Sequence, residues 1–151
     1  MPTSVIVLAA GLGSRMNSDL PKVLHPLAGV PMLHHALAAA RSLDPARIVV
    51  VAGHGADQVT RAALAFDDGV EVVIQAEQLG TAHAVLQAAP ALAGATGPAI
   101  VLYGDTPFVQ AGTLATMLSA LDRAQVVALG FHAADPGRYG RLVVEGEALH
   151  R

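Results

Sequence analysis

The feature of this 151-residue chain that most restricts its fold is a regular alternation of short apolar runs with longer helix-forming stretches. The apolar runs have the length of strands and are rich in β-branched residues, as in strands that are covered on both faces. These runs span residues 4–10, 47–52, 70–74, 99–103 and 125–131. The helix-forming stretches span residues 31–42, 56–65, 81–89 and 112–124. Such a series of βα units predicts an α/β protein with a mostly parallel sheet, folded as a three-layer α/β/α sandwich.

The end of the chain, "RYGRLVVEGEALHR", has a different pattern. Two short apolar runs flank Glu145 and Gly146, which predicts an incomplete β-hairpin at the point where the chain stops. The chain contains neither a repeat nor a low-complexity linker, and its length is that of one domain or less. We therefore expect residues 1–151 to be the N-terminal part of a single domain.

The composition excludes several classes of function. The formal net charge is −3 and no run of basic residues occurs, so we expect binding neither to nucleic acid nor to an anionic membrane surface. The chain has no cysteine, which excludes disulfides and thiolate zinc sites. No apolar stretch approaches the roughly 18 residues that span a bilayer, and the short N-terminal run follows no basic region. We expect a cytoplasmic protein.

The first predicted strand leads into "LAAGLGSRMNSDLPKVL", a glycine-rich segment that holds the only lysine of the chain. Gly11 and Gly13 let backbone N–H groups approach a phosphate, and Arg15 and Lys22 supply two cations of different shape. A dinucleotide fingerprint would need a third glycine where Met16 stands, and a Walker A loop would need Gly-Lys-Ser/Thr after its glycines. The segment therefore favours a phosphate loop of another kind, with a plain βα turn carrying surface charges as the alternative.

A second polar segment, "QAEQLGTAHAV", follows the third predicted strand, at the edge where ligands gather in open α/β sheets. Gln75 carries an amide that can read the edge of a nucleobase in both directions, as donor and as acceptor. Gly80 and Thr81 begin a predicted helix, where free N–H groups and a hydroxyl can meet a base or a phosphate. The alternative is that Thr81 only caps this helix.

A third segment, "LYGDTP", places Asp105 after a buried strand and a glycine. This position suits Mg²⁺, which takes one or two carboxylates from the protein and its other ligands from water and substrate phosphates. The alternative is an Asx turn. The seven histidines lack metal-binding spacing, and the chain has no G-x-S-x-G elbow. A phosphate loop and a magnesium carboxylate without a protein nucleophile favour nucleotidyl transfer, in which an acceptor phosphate attacks the α-phosphorus and pyrophosphate leaves.

Five segments, in this order, resemble the N-terminal uridyltransferase domain of bacterial bifunctional N-acetylglucosamine-1-phosphate uridyltransferase/glucosamine-1-phosphate acetyltransferases. They are "LAAGLGSRM…LPKVLHPLAGVPM", "VVVAGHG", "QAEQLGTAHAV", "LYGDTP" and "RYGRLVVEG". Sister sugar-nucleotide and isoprenoid cytidylyltransferases share the pattern "AAGxGxRM…PK" of the first segment, and the third and fourth segments favour the hexosamine enzyme. The resemblance implies a Rossmann-like sheet of the nucleotide-sugar transferase type. It also implies synthesis of UDP-N-acetylglucosamine and pyrophosphate from UTP and N-acetylglucosamine 1-phosphate, for cell-wall precursors.

The resemblance implies a set of site residues as well. Arg15 and Lys22 would be catalytic, because they would stabilise charge on the triphosphate as pyrophosphate leaves, and Asp105 would bind Mg²⁺. The nucleotide and the sugar would be bound by Leu8, Ala9, Ala10, Gly11, Gly13, Lys22, Gln75, Gly80, Thr81, Tyr103, Gly104, Asp105 and Gly140.

In the family that the chain resembles, the transferase domain continues with further sugar and metal ligands into a β-helical acetyltransferase domain, through which the protein trimerises. The resemblance places both beyond Arg151, so we expect the isolated chain to be weakly active or inactive. Two alternatives remain open. The chain could instead be a relative that uses CTP or GTP with another phosphorylated acceptor, or a nucleotide-binding fragment without catalysis.

Overall fold

The computed structural model describes residues 2–13, 16–137, 139–145 and 148–149. The chain forms two compact units, Met1–Ala115 and Thr116–Arg151. The described strands are β1 (Ser4–Ala9), β2 (Pro26–Leu27), β3 (Val30–Pro31), β4 (Arg47–Ala52), β5 (Glu71–Ile74), β6 (Ala99–Tyr103), β7 (Val144–Glu145) and β8 (Ala148–Leu149). The described α-helices are α1 (Met32–Arg41), α2 (Ala56–Phe66), α3 (Thr81–Gln87) and α4 (Ala111–Ala120), and a short 3₁₀ turn covers Lys22–Leu24.

The first unit is built on a parallel sheet with the strand order β5-β4-β1-β6. Strand β1 is central, and Leu8 near its end lies opposite Val51 of β4 and Tyr103 of β6. Parallel neighbours need long crossover connections, which the helical segments between the strands supply. Because all four strands point the same way, the loops that follow them emerge at one edge of the sheet.

Strands β1 and β4 are almost completely buried because helices cover both faces of the sheet. Side chains alternate between the faces along a strand, and Ile6 packs with Ala84 and Ala88, on and just after α3. Val5 and Val7 point to the opposite face and are fully buried, and α1 contacts β1. This arrangement confirms the predicted α/β sandwich with a mostly parallel sheet.

The first four predicted strands and all four predicted helical stretches are present, with boundaries shifted by a few residues. The fifth predicted strand is wrong, because residues 125–131 form no strand. Val126 and Phe131 in this run are 78% and 71% exposed. An apolar run becomes a strand only where a neighbour takes its backbone hydrogen bonds, and no described strand pairs with this one.

In the second unit β7 and β8 pair antiparallel, with Val144 opposite Leu149, as the predicted hairpin requires. Gly146, on which that prediction rested, lies outside the described residues. Phe131 and Tyr139 pack edge to face, with ring centroids 5.3 Å apart. In the part of the chain described, no helix is long and apolar enough to cross a membrane. The expectation that the chain is the N-terminal part of one domain stays a prediction.

Candidate functional site

A pocket in the first unit opens at the carboxyl edge of the parallel sheet. Leu8 and Tyr103 reach it from the ends of β1 and β6, and Gln75 reaches it from the position just after β5. The pocket is lined by Leu8, Ala10, Gly11, Lys22, Val23, Gln75, Gln78, Gly80, Thr81, Ala84, Tyr103 and Asp105. Three segments that are far apart in the sequence therefore meet at the edge where the strand order predicts a ligand site.

Most of the predicted binding residues line this pocket, and the others lie in different places. Ala9 is buried at the end of β1, and the N–H group of Gly104 donates to Leu8 O at 2.8 Å, which joins the ends of β1 and β6. Gly140 belongs to the second unit. Arg15 lies outside the described residues. The roles of all these residues remain predictions.

The pocket also contains residues that the sequence reasoning did not select, namely Val23, Gln78 and Ala84. Gln78 could have been identified from the sequence, because it lies three residues after Gln75 in the same polar segment. Its Nε2 atom donates to Gln75 O at 3.4 Å. A Cβ atom at Gly53 would come within 2.6 Å of Gln78 Nε2, so the glycine after β4 makes room for this side chain.

The single lysine pairs with the predicted metal ligand. Lys22 Nζ donates to Asp105 Oδ2 at 2.6 Å, although 83 residues separate the two in the sequence. The two side chains are 40% and 30% exposed. An ion pair this accessible to water contributes about 1 kcal/mol or less to stability. A phosphate can therefore compete for the ammonium, and a cation can compete for the carboxylate.

The carboxylate of Asp105 does not form the Asx turn considered as its alternative role. The turn after β6 is held by Thr106, whose backbone N–H and hydroxyl both donate to Tyr103 O, at 3.1 and 2.9 Å. The described hydrogen bond of the Asp105 side chain is the one from Lys22. The carboxylate therefore stays at the pocket, where a ligand can reach it.

Gly13 is required by the position of Lys22. Its φ is +60°, and a Cβ atom there would lie 2.9 Å from Lys22 Cβ. Any other residue would have to push the lysine away from its present place. At Gly11, by contrast, an added Cβ would meet nothing within 4 Å, so this pocket-lining backbone is open to an approaching group.

Gln75 is the buried polar group of the pocket, with 3% of its surface exposed. Its Nε2 atom lies 3.2 Å from Gly80 O and 3.0 Å from His83 Nδ1. Gly80, with a φ of +99°, is the N-cap residue of α3, and no side chain makes a capping hydrogen bond. The alternative that Thr81 caps the helix is therefore wrong, and its hydroxyl is left to line the pocket.

No cluster of three or more metal-binding side chains occurs among the described residues. The adjacent His34 and His35 each pair with a backbone oxygen, of Ala62 at 2.9 Å and of Leu27 at 3.0 Å. The two rings thus connect α1 to the backbone of α2 and of β2. Asp105 is the one carboxylate that lines the pocket, so a metal held there would take its other ligands from elsewhere.

Comparison with known proteins decides the family. Residues 5–145 match the MobA-like NTP transferase domain. The chain belongs to this nucleotidyltransferase family. Membership agrees with a pocket at the strand ends that presents a glycine-rich backbone, a lysine and a carboxylate.

Individual relatives give a more specific similarity than the family does. The chain is 69% identical over 148 residues to the Bifunctional protein GlmU of Cereibacter sphaeroides, a match that covers 98% of the chain and 33% of that protein. It therefore spans about a third of the length of this relative. This match confirms the resemblance that the motifs indicated.

Solved structures support the fold. A nucleotidyl transferase from Methanothermobacter superposes with a TM-score of 0.65 at 30% identity, covering 78% of this chain and 57% of that one. A Mycobacterium tuberculosis protein solved in complex with manganese superposes with a TM-score of 0.64 at 26% identity, covering 80% of this chain and 59% of that one. The chain thus shares its α/β fold with both solved structures, one of which is a nucleotidyl transferase.

Proposed function

We propose that this chain is the nucleotide-binding part of a uridyltransferase that acts in the cytoplasm. The enzyme would form UDP-N-acetylglucosamine and pyrophosphate from UTP and N-acetylglucosamine 1-phosphate, for cell-wall precursor synthesis. The observation that carries this proposal is the 69% identity over 148 residues to the Bifunctional protein GlmU. The pocket supports it independently, because an amide, a cation and a carboxylate line one cavity and are suited to a base, a phosphate and a metal ion.

The proposed roles follow from the chemistry of each position. UTP brings a polyanion, which the Lys22 ammonium and the open backbone at Gly11 can hold. Gln75 would contact the uracil, and Tyr103 with Gly104 would line the sugar side. Arg15 would share the charge of the departing pyrophosphate, and Gly140 would offer a backbone contact to the sugar.

Asp105 is the residue that we propose to hold Mg²⁺. Its carboxylate is partly exposed and already pairs with a cation, so its environment suits a positive charge. Mg²⁺ commonly takes one or two protein carboxylates and completes its shell with water and phosphate oxygens. The M. tuberculosis neighbour that was solved with manganese supports a divalent ion in proteins of this fold. When bound, the ion would neutralise charge on the phosphates.

The reaction needs alignment rather than a protein nucleophile. An oxygen of the sugar 1-phosphate forms a bond to the α-phosphorus of UTP, and the bond from that phosphorus to the bridging oxygen of pyrophosphate breaks. In-line displacement of this kind is accelerated by positioning and charge stabilisation. Lys22 would leave Asp105 and follow the phosphates, because its flexible stem allows the ammonium to turn within the pocket.

Calorimetry and a pyrophosphate-release assay on this same chain test the proposal. We expect UTP to bind in the presence of Mg²⁺ more tightly than CTP or GTP. Pyrophosphate released from UTP and N-acetylglucosamine 1-phosphate would establish catalysis by the chain itself. Binding without release would show a nucleotide-binding unit that needs further residues, and failure to bind UTP or UDP-N-acetylglucosamine would refute the proposal.

A further inference from the structure

The side-chain amide of Gln75 has both of its N–H bonds directed into the protein. Its Nε2 atom lies 3.2 Å from Gly80 O and 3.0 Å from His83 Nδ1. A carbonyl oxygen can only accept, so the amide atom that faces Gly80 O is the nitrogen. Both hydrogens of the nitrogen are directed at these two partners, so Oε1 is the atom of the amide that is left for the pocket that Gln75 lines.

His83 completes this arrangement through its Nδ1 atom. The amide nitrogen can only donate, so Nδ1 must accept, which leaves the proton of the neutral ring on Nε2. Gln87 Nε2 lies 3.2 Å from His83 Nε2 and donates to His83 O at 3.1 Å, but a neutral imidazole accepts at one nitrogen only. Gln75 is buried, so its second N–H group needs Nδ1 as an acceptor, whereas Gln87 is half-buried and its second N–H group can reach water. The Nδ1 contact therefore determines the tautomer.

From this geometry we infer that His83 is a positioning residue, which holds the Gln75 amide so that only its oxygen acceptor faces the pocket. The inference rests on the proposed function, in which Gln75 contacts the nucleobase. A glutamine side chain can donate through its nitrogen or accept through its oxygen, and here only the oxygen is available to a ligand. The pocket would then select a pyrimidine by the hydrogen that the base offers to Oε1.

Uracil and cytosine differ in this respect. Uracil carries an N–H group at ring position 3, which can donate to Oε1, whereas cytosine has a lone pair there. A lone pair facing an oxygen acceptor leaves both groups without a partner, and such a mismatch lowers affinity strongly. If the Gln75 amide could rotate, its NH₂ group would satisfy cytosine instead. Selectivity for uracil therefore depends on the residue that prevents this rotation.

The test compares His83→Leu with His83→Asn in the same chain, by calorimetry with UTP and with CTP in the presence of Mg²⁺. Leucine removes the acceptor, and asparagine can present an oxygen close to the place of Nδ1. We expect His83→Leu to lower the ratio of UTP to CTP affinity by roughly tenfold, and His83→Asn to restore most of it. Gln87→Ala, the control, should leave the ratio unchanged. The inference would be overturned if His83→Leu left the ratio of UTP to CTP affinity unchanged. It would also be overturned if His83→Asn lowered this ratio as much as His83→Leu does.

A nucleotide-free measurement keeps the inference separate from the proposed function. In ¹⁵N NMR spectra of the unmodified chain, His83 Nδ1 should resonate as an unprotonated nitrogen and Nε2 as a protonated one at neutral pH. A proton on Nδ1 would overturn the inference whatever the nucleotides do. If neither UTP nor CTP bound, the proposed function would fail, and the ring spectra would still decide how the amide is held.

Discussion

At the scale of single residues, Lys22 pairs with Asp105 in this structure and would bind phosphate under the proposed function. Its ammonium lies 2.6 Å from the Asp105 carboxylate, and both side chains remain partly exposed. Without a ligand each charge compensates the other. A triphosphate offers Lys22 several oxygens in place of one carboxylate, and a divalent cation offers Asp105 a higher charge than an ammonium. Under the proposed function, nucleotide and metal would thus replace the ion pair together.

Lys22→Ala should weaken UTP binding by roughly tenfold or more, because a hydrogen bond between charged groups contributes about 1.5–3 kcal/mol. The free energy of unfolding should change by less than about 1 kcal/mol, since the ion pair is exposed. Calorimetry and urea unfolding measure the two quantities. Lys22→Arg keeps the charge and should lose less affinity. Equal UTP affinity in the wild type and Lys22→Ala would remove the phosphate role.

Asp105→Asn should raise the Mg²⁺ concentration that supports UTP binding severalfold, because the variant loses the anionic oxygen but keeps the size of the side chain. In the absence of Mg²⁺ its UTP affinity should not fall, because Lys22 is released from its ion pair. Calorimetric titrations over a series of Mg²⁺ concentrations measure both effects. Asp68→Asn, in an exposed turn outside the pocket, is the matched control. An unchanged Mg²⁺ dependence would contradict the metal role.

At the scale of elements, the segment between β1 and the 3₁₀ turn shapes the site without being a standard nucleotide loop. It lacks the third glycine of a dinucleotide fingerprint, and its lysine comes nine residues after Gly13. The positive φ of Gly13 lets the backbone pass against Lys22, and the N–H group of Gly104 ties the neighbouring strand end to Leu8 O. The first contact fixes the base of the Lys22 side chain and the second fixes the strand end that precedes Asp105, with which the ammonium pairs.

Gly13→Ala tests this dependence, with Gly29→Ala as its control. Both glycines have a positive φ, so each substitution should cost about 1–2 kcal/mol in free energy of unfolding. Only at Gly13 would the new Cβ meet Lys22, whereas at Gly29 it would meet nothing within 4 Å. UTP affinity, measured by calorimetry on the folded variants, should therefore fall in Gly13→Ala alone. A similar loss in both variants would show that Gly13 acts only through stability.

At the scale of the whole molecule, the parallel sheet of the first unit determines where the pocket lies. Its central strands β1 and β4 are covered on both faces, and the pocket opens at the edge where the loops after the strands converge. The apolar run 125–131 shows the opposite situation, because without a paired neighbour it stays exposed and irregular. The chain matches a nucleotidyltransferase family over residues 5–145, which agrees with a ligand pocket at that edge.

Ligand binding should stabilise the folded chain as a whole. A ligand that binds only the folded state, at 100 times its Kd, adds about 2.7 kcal/mol to the free energy of unfolding. Urea unfolding with saturating UTP and Mg²⁺ should therefore show this increase. CTP at the same concentration should give a smaller one. If UTP at this excess left the unfolding curve unchanged, the pocket would not be a site for this nucleotide.

The sequence alone predicts the four strands of the parallel sheet, the four helices and the edge of the sheet at which the pocket lies. Hydrophobic period is a local property, so β1, β4, β5 and β6 could be recognised from their own residues. The rule that ligands bind at the carboxyl ends of parallel strands then predicts Gln75 and Asp105 as site residues.

Only the tertiary structure decided which of these residues meet and what each presents to a ligand. The contact between Lys22 and Asp105 joins positions 83 residues apart, and no local pattern encodes such a pairing. The orientation of the Gln75 amide depends on Gly80 O and on the ring of His83, which a residue list cannot supply. Residues 125–131 form no strand for the same physical reason. Hydrogen bonds between distant segments are made or lost only when the chain has folded.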